Sequence, residues 1–129
     1  MKNIFFLFLL FSAVSCQNNN GTETQAPNAD AVYVQLSPAE FKAKLAEYDN
    51  PQLIDVRTPR EYEKGNIPGA KLINIKDANY AREIDKLDKT QPLFMYCQAG
   101  GRSSRACNQA EKEGFTKIYE LKGGFGNWQ

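Results

Sequence analysis

The chain has 129 residues, enough for one domain, and its 42% hydrophobic and 12% aromatic content suits a small packed core. A formal charge of +1 leaves no basic footprint for nucleic acid. The chain contains no histidine, which excludes an imidazole base and a histidine metal site.

Met1-Lys2-Asn3 is a short basic start, and Ile4 to Phe11 is an uninterrupted apolar run. Even with Ser12–Val14 the run is shorter than the ~20 residues a stable membrane-spanning helix needs. Residues 1–15 therefore read as a secretory signal peptide. Ala13-Val14-Ser15-Cys16 resembles a bacterial lipobox, departing from it at Ala13, where leucine is usual. That resemblance implies cleavage before Cys16 and lipidation of Cys16, hence a lipid anchor on the periplasmic side of the inner or outer membrane. An ordinary cleaved signal and an uncleaved anchor are the alternatives. Residues 16–31 are polar and read as a flexible tether, because they offer no apolar surface to bury.

The domain is expected over residues 32–129. Val32–Leu36 is a short strand. Ser37-Pro38-Ala39-Glu40 is a capping box with proline at the first helical position, and Phe41, Leu45 and Tyr48 continue one apolar helix face. Gln52–Val56 is apolar at almost every position except Asp55, the pattern of a strand buried on both faces. Thr58-Pro59-Arg60-Glu61 is a second capping box, opening a short helix that Gly65 ends. Leu72–Ile75 is a third strand. Asp77–Leu87 is a helix with Tyr80, Ile84 and Leu87 on one face. Leu93–Tyr96 is a fourth strand, Ser103–Glu113 a helix closed by Gly114, Phe115–Leu121 a fifth strand, and Gly124 onward a last helical turn. Strands alternating with helices predict an α/β fold, a five-stranded, mainly parallel sheet with helices on both faces.

Ligands in such sheets sit at the carboxyl ends of the strands, and Cys97 follows the fourth strand at that place. Behind it come Gln98, Ala99, Gly100, Gly101, Arg102 and Ser103, a tight loop opening a helix. The unpaired N–H groups of the loop and first helical turn converge on the sulfur, and the helix dipole adds positive potential. Arg102 and Arg105 add two cations. A thiol so placed ionises easily and is a good nucleophile. Gly100 and Gly101 supply the backbone angles for close approach.

Cys97-x-x-Gly100-x-Arg102-Ser103 resembles the active-site loop of the rhodanese family, sulfurtransferases that carry sulfur as a cysteine persulfide. Leu53-Ile54-Asp55-Val56-Arg57 with Glu61-Tyr62, Gly65-Asn66-Ile67-Pro68-Gly69-Ala70, and Leu121-Lys122-Gly123-Gly124-Phe125-Gly126-Asn127-Trp128 are similar to three further signatures of that family, in the same order. The resemblance implies that Cys97 takes sulfur from a small anion such as thiosulfate, holds it as a persulfide stabilised by the N–H groups of Gln98 to Ser103, and passes it to cyanide or a thiol. It needs no cofactor and no metal. Arg102 is placed to bind the anionic donor and to stabilise the loop. Asp55, Arg57 and Glu61 brace the loop by ion pairing, with Arg57 a candidate for the substrate mouth and Arg105 a weaker one. Asn66 departs from the histidine common among relatives. In an oxidising envelope the thiol calls for a reducing partner. Cys107, on the helix face toward the sheet, reads as core. The competing functions are a non-catalytic membrane-tethered binding or sulfide-sensing module and a cysteine phosphatase or arsenate reductase. The phosphatase pattern needs Cys-x5-Arg, and here Arg102 gives Cys-x4-Arg.

Overall fold

A computed structural model of the protein describes residues 32–129. The expected signal peptide, Cys16 and the tether lie outside the described residues. The elements, in chain order, are β1 (Tyr33–Leu36), α1 (Pro38–Leu45), β2 (Gln52–Asp55), α2 (Pro59–Glu63), β3 (Lys71–Leu72), α3 (Tyr80–Asp85), β4 (Leu93–Tyr96), α4 (Gly101–Lys112) and β5 (Ile118–Leu121). A 3₁₀ turn follows at Phe125–Asn127. The strands form one sheet in the order β1-β5-β4-β2-β3, and every neighbouring pair is parallel.

The sheet is covered on both faces, and the side chains sort by the two-residue period of a strand. Ile54, Met95 and Ile118 face α3 and α4, packing with Tyr80, Ile84, Ala106, Cys107 and Ala110. Leu53, Phe94, Tyr96, Tyr119 and Leu121 face the other way, toward Phe41 of α1. Phe41 meets Phe94 edge to face with centroids 5.5 Å apart. Burying a side chain of this size contributes about 1.5–3 kcal/mol, so the central strands β4 and β2 anchor the domain and fix where their carboxyl ends lie.

Both capping boxes form. Ser37 Oγ accepts from Glu40 N–H while the Glu40 carboxylate accepts from Ser37 N–H at 2.8 Å. Thr58 and Glu61 repeat the pattern, with Thr58 N–H donating at 3.0 Å.

The differences from the sequence reading lie at element ends. β3 covers Lys71–Leu72, not Leu72–Ile75. Ile73 and Ile75 N–H still reach Asp55 and Val56 carbonyls, but Asn74 Oδ1 accepts from Lys76 N–H at 3.0 Å and turns the chain away. Asp77 does the same with Asn79 N–H at 2.8 Å, so α3 begins at Tyr80 and not at Asp77. α4 begins two residues before Ser103, because Gly100, at φ +112°, makes the turn into the helix by itself. Phe115 lies outside β5: Gly114 N–H bonds Glu111 O and Phe115 N–H bonds Ala110 O, a Schellman closure that tucks Phe115 under α4.

Candidate functional site

Cys97 is the first residue past β4, and Gly100 turns the chain at once into α4. The loop is short enough that Gly100 N–H points back at the Cys97 sulfur, 3.1 Å away, and the Ser103 hydroxyl lies 3.3 Å from it. The cysteine is buried beneath the exposed residues Gln98 and Ala99. Burial pushes its thiol pKa up. The Ser103 hydroxyl and the backbone N–H groups of Ser103, Gly100 and Ala99 favour the thiolate and prevail, leaving the thiol below its ordinary value. A buried sulfur with converging donors is a cradle for negative charge on sulfur.

Arg57 is the brace of this loop. It is 1% exposed, and its Nε and one terminal nitrogen grip the Asp55 carboxylate at 2.7–3.0 Å. That same terminal nitrogen donates to Gly65 O at 2.7 Å, and the other donates to Gln98 Oε1 at 3.0 Å. The guanidinium stacks over Phe125 at 4.3 Å. Arg57 thus ties the end of β2 to the cysteine loop, to Gly65 and to the C-terminal turn. It is enclosed and does not line a mouth; Asp55 and Arg57 both take the bracing place.

Arg102 is committed to an ion pair. Its two terminal nitrogens donate to Glu61 at 2.8 and 2.7 Å, so the guanidinium joins α4 to α2 and is not a free cation awaiting an anion. Arg105 is exposed on α4 and takes no part in the hydrogen bonds around the sulfur. The Arg102 guanidinium holds the Glu61 carboxyl far below the usual carboxylate range against the opposing effect of burial, with Thr58 N–H and hydroxyl helping. A depressed carboxyl stabilises the fold fully above the unfolded value of ~4.3 and loses that contribution as pH falls below it. Glu61→Gln is therefore expected to lower stability at neutral pH by about 1 kcal/mol, since the pair is partly exposed. The difference from wild type should narrow in acid unfolding titrations below about pH 4.

The C-terminal turn closes the site from the other side. Phe125 N–H donates to Cys97 O at 2.7 Å and Gly126 N–H to Gln98 O at 3.0 Å. Gly124 sits at φ +67°, and a Cβ there would lie 2.5 Å from Cys97 O and 2.6 Å from Gln98 C. Gly124→Ala is expected to cost about 3 kcal/mol or more from strain and overlap together, read by urea denaturation. The loop must move to accept the methyl, so Cys97 reactivity should fall with it.

The sequence reading missed Glu120. It is fully buried on β5, and its Oε1 accepts from the Ser103 hydroxyl at 2.5 Å and the Ser104 hydroxyl at 3.0 Å. Its Oε2 accepts from the Tyr33 hydroxyl and, at 2.8 Å, from Gln35. The signal was present: Ile118-Tyr119-Glu120-Leu121 is apolar or aromatic except for one acid, as Leu53-Ile54-Asp55-Val56 is apolar except for Asp55. Cys107 lies in the core, as expected from its helix face, and burial, with the charges of Glu120 and Cys97, pushes its thiol far up. Asn66 donates to Tyr62 O at 3.1 Å.

The rhodanese-like domain family model matches residues 37–129. The protein YqhL of Bacillus subtilis is 43% identical over 93 residues, covering 72% of this chain and 70% of YqhL. A second Bacillus subtilis relative is spanned over 57% of its length. The thiosulfate sulfurtransferase GlpE of Shewanella oneidensis is 32% identical over 66% of this chain and 82% of its own. The crystal structure of a rhodanese-like domain protein from Staphylococcus aureus superposes with a TM-score of 0.65 at 29% identity, covering 74% of this chain and 90% of that one. With its parallel sheet, its cysteine loop at the end of β4 and a match across most of its length, this chain belongs to the rhodanese-like family.

Proposed function

We propose that the protein is a sulfurtransferase that moves sulfane sulfur from a donor such as thiosulfate to a thiophilic acceptor through a persulfide on Cys97. The observation that carries this reading is the cradle itself: Gly100 N–H and the Ser103 hydroxyl directed at a buried sulfur whose ionisation they favour. Relatives named thiosulfate sulfurtransferase support it.

The Cys97 thiolate attacks the outer sulfur of thiosulfate. A sulfur–sulfur bond forms to Cys97, the sulfur–sulfur bond within thiosulfate breaks, and its electron pair leaves on sulfite. The new terminal sulfur carries the negative charge, which the N–H groups of the loop from Gln98 to Ser103 stabilise without reorganising. Cyanide or a thiolate then attacks the terminal sulfur, and the electron pair returns to Cys97. No general base acts on an already ionised thiol, which fits a chain without histidine. Arg102 steadies the loop through Glu61 and adds a positive charge near the sulfur.

The phosphatase reading is disfavoured by the loop. Its arginine comes one residue early and is held in a bidentate pair by Glu61, where a phosphatase needs it free for the phosphate oxygens. The N-terminal apolar run and Ala13-Val14-Ser15-Cys16 support an enzyme lipid-anchored in a bacterial envelope, where a thiol-reducing partner keeps Cys97 active. The experiment is thiocyanate formation from thiosulfate and cyanide by protein with reduced Cys97. Steady turnover is expected. Its absence with thiosulfate and with other persulfide donors would favour the binding module.

A further inference from the structure

Both arginines tied to the cysteine loop are already committed to acids. Arg57 is enclosed with Asp55, and Glu61 holds Arg102 through two hydrogen bonds of 2.8 and 2.7 Å. A third acid, Glu120, lies buried behind the loop, where Ser103 joins it to the sulfur. Among the described residues, the network that braces the loop thus holds three acids and two arginines, before the Cys97 thiolate adds its own charge. Arg60 on α2 and Arg105 on α4 are exposed to water, which screens their charge.

The loop N–H groups stabilise one negative charge, on the sulfur being transferred. A donor with a second negative charge brings it into surroundings that are already net negative, and like charges disfavour each other. Thiosulfate carries two charges. An alkyl persulfide or an alkyl thiosulfonate carries one, on the sulfur to be moved. We propose that Glu61 is a specificity-determining residue: by holding Arg102 in a neutral pair, it selects sulfane-sulfur donors with a single negative charge over dianions. The proposal rests on the sulfurtransferase reading and names its preferred donor class; thiosulfate still serves, less efficiently.

The charge of Glu61 can be removed without removing the helix start. Its Oε2 accepts from the Thr58 N–H at 3.0 Å, the Thr58 hydroxyl at 2.8 Å and Arg102 at 2.8 Å, while Oε1 accepts from Arg102 at 2.7 Å. Glutamine fills this place in a capping box as glutamate does. Its oxygen takes the position of Oε2 and keeps those three bonds. Its amide nitrogen then faces the other end of the Arg102 guanidinium, donor against donor. That end is released, and the positive charge of Arg102 is no longer offset.

The test compares thiosulfate with methanethiosulfonate, which differ by one charge and present the same outer sulfur on an oxidised one. With methanethiosulfonate the Cys97 thiolate attacks the outer sulfur, a new sulfur–sulfur bond forms, the donor's own sulfur–sulfur bond breaks, and its electron pair leaves on methanesulfinate. The rate at which each donor loads sulfur onto Cys97 is read by peptide mass spectrometry on the reduced full chain, as wild type, Glu61→Gln and Glu61→Gln/Arg102→Met. Each rate is divided by that donor's rate with free 2-mercaptoethanol. Wild type is expected to prefer methanethiosulfonate by about tenfold or more. Glu61→Gln should move the ratio toward thiosulfate by about tenfold, and adding Arg102→Met should return it, since the released cation is then gone. A loosened loop slows both donors alike, so a ratio that Glu61→Gln leaves unmoved overturns the proposal. A wild type that prefers thiosulfate also overturns it, and if Glu61→Gln does not fold, the wild-type preference decides. If neither donor loads Cys97, the sulfurtransferase reading falls. The charge rule is then read from protection of Cys97 against iodoacetamide by sulfate, a dianion with no sulfur to transfer. Protection in Glu61→Gln that wild type lacks upholds the rule, and equal protection overturns it.

Discussion

Cys97→Ser should abolish thiocyanate formation from thiosulfate and cyanide, by roughly 10³-fold or more, while stability stays within about 1 kcal/mol of wild type. The two expectations come from one geometry. A serine oxygen can accept from Gly100 N–H and pair with the Ser103 hydroxyl much as the sulfur does, so the loop keeps its hydrogen bonds. What is lost is chemistry. A hydroxyl does not ionise near neutral pH even with these donors, and oxygen is a poor partner for the sulfur–sulfur exchange that persulfide transfer consists of. Loss of activity together with a large loss of stability would mean that the sulfur is a packing element first. Retained activity would place the nucleophile elsewhere.

Asp55→Ala should be the most damaging single change to the fold. Asp55 and Arg57 are both buried, and among the described residues the carboxylate is the only anion in contact with a guanidinium that also holds Gln98 and Gly65. Removing one partner strands the other charge in the interior, at about 3–5 kcal/mol. In a domain of this size each kcal/mol moves the melting transition by about 4–8 °C, so the midpoint falls by more than about 12 °C. Asp55→Asn keeps an acceptor and should lose less. The double variant Asp55→Ala/Arg57→Met should recover part of the loss, because it removes the stranded charge. Calorimetry of wild type, Asp55→Ala, Arg57→Met and the double variant closes the cycle, and additive losses would show that the pair does not couple.

The parts of this molecule set by local chemistry were legible in its sequence. Ser37/Glu40 and Thr58/Glu61 announce helix starts because a capping box is a contact over three residues. The apolar runs Leu53–Ile54 and Leu93–Tyr96 announce buried strands, and their alternation with helices announces a parallel sheet. Boundaries were lost where a single side chain overrides a run. Asn74 and Asp77 bend the chain through their side-chain oxygens, which accept from N–H groups two residues on, and Gly114 pulls Phe115 under α4.

At the site, spacing placed Cys97 and its loop correctly because the strand, the glycines and the helix start are consecutive. It gave no partner for Arg102, because Glu61 lies 41 positions away and becomes a neighbour only when α2 packs beside α4. It was silent on Glu120 for the same reason. Only the parallel pairing of β5 between β1 and β4 brings that acid beneath Ser103. A lone acid in an apolar strand is nonetheless a readable sign, since a buried carboxylate must find donors. Both Asp55 and Glu120 carry it.

The most direct measurement is the mass of the Cys97 peptide after the reduced protein has met thiosulfate with no acceptor present, and again after cyanide is added. The account predicts one added sulfur atom on that peptide, gone once cyanide has taken it as thiocyanate. Thiocyanate forming while the Cys97 peptide never gains sulfur would contradict it.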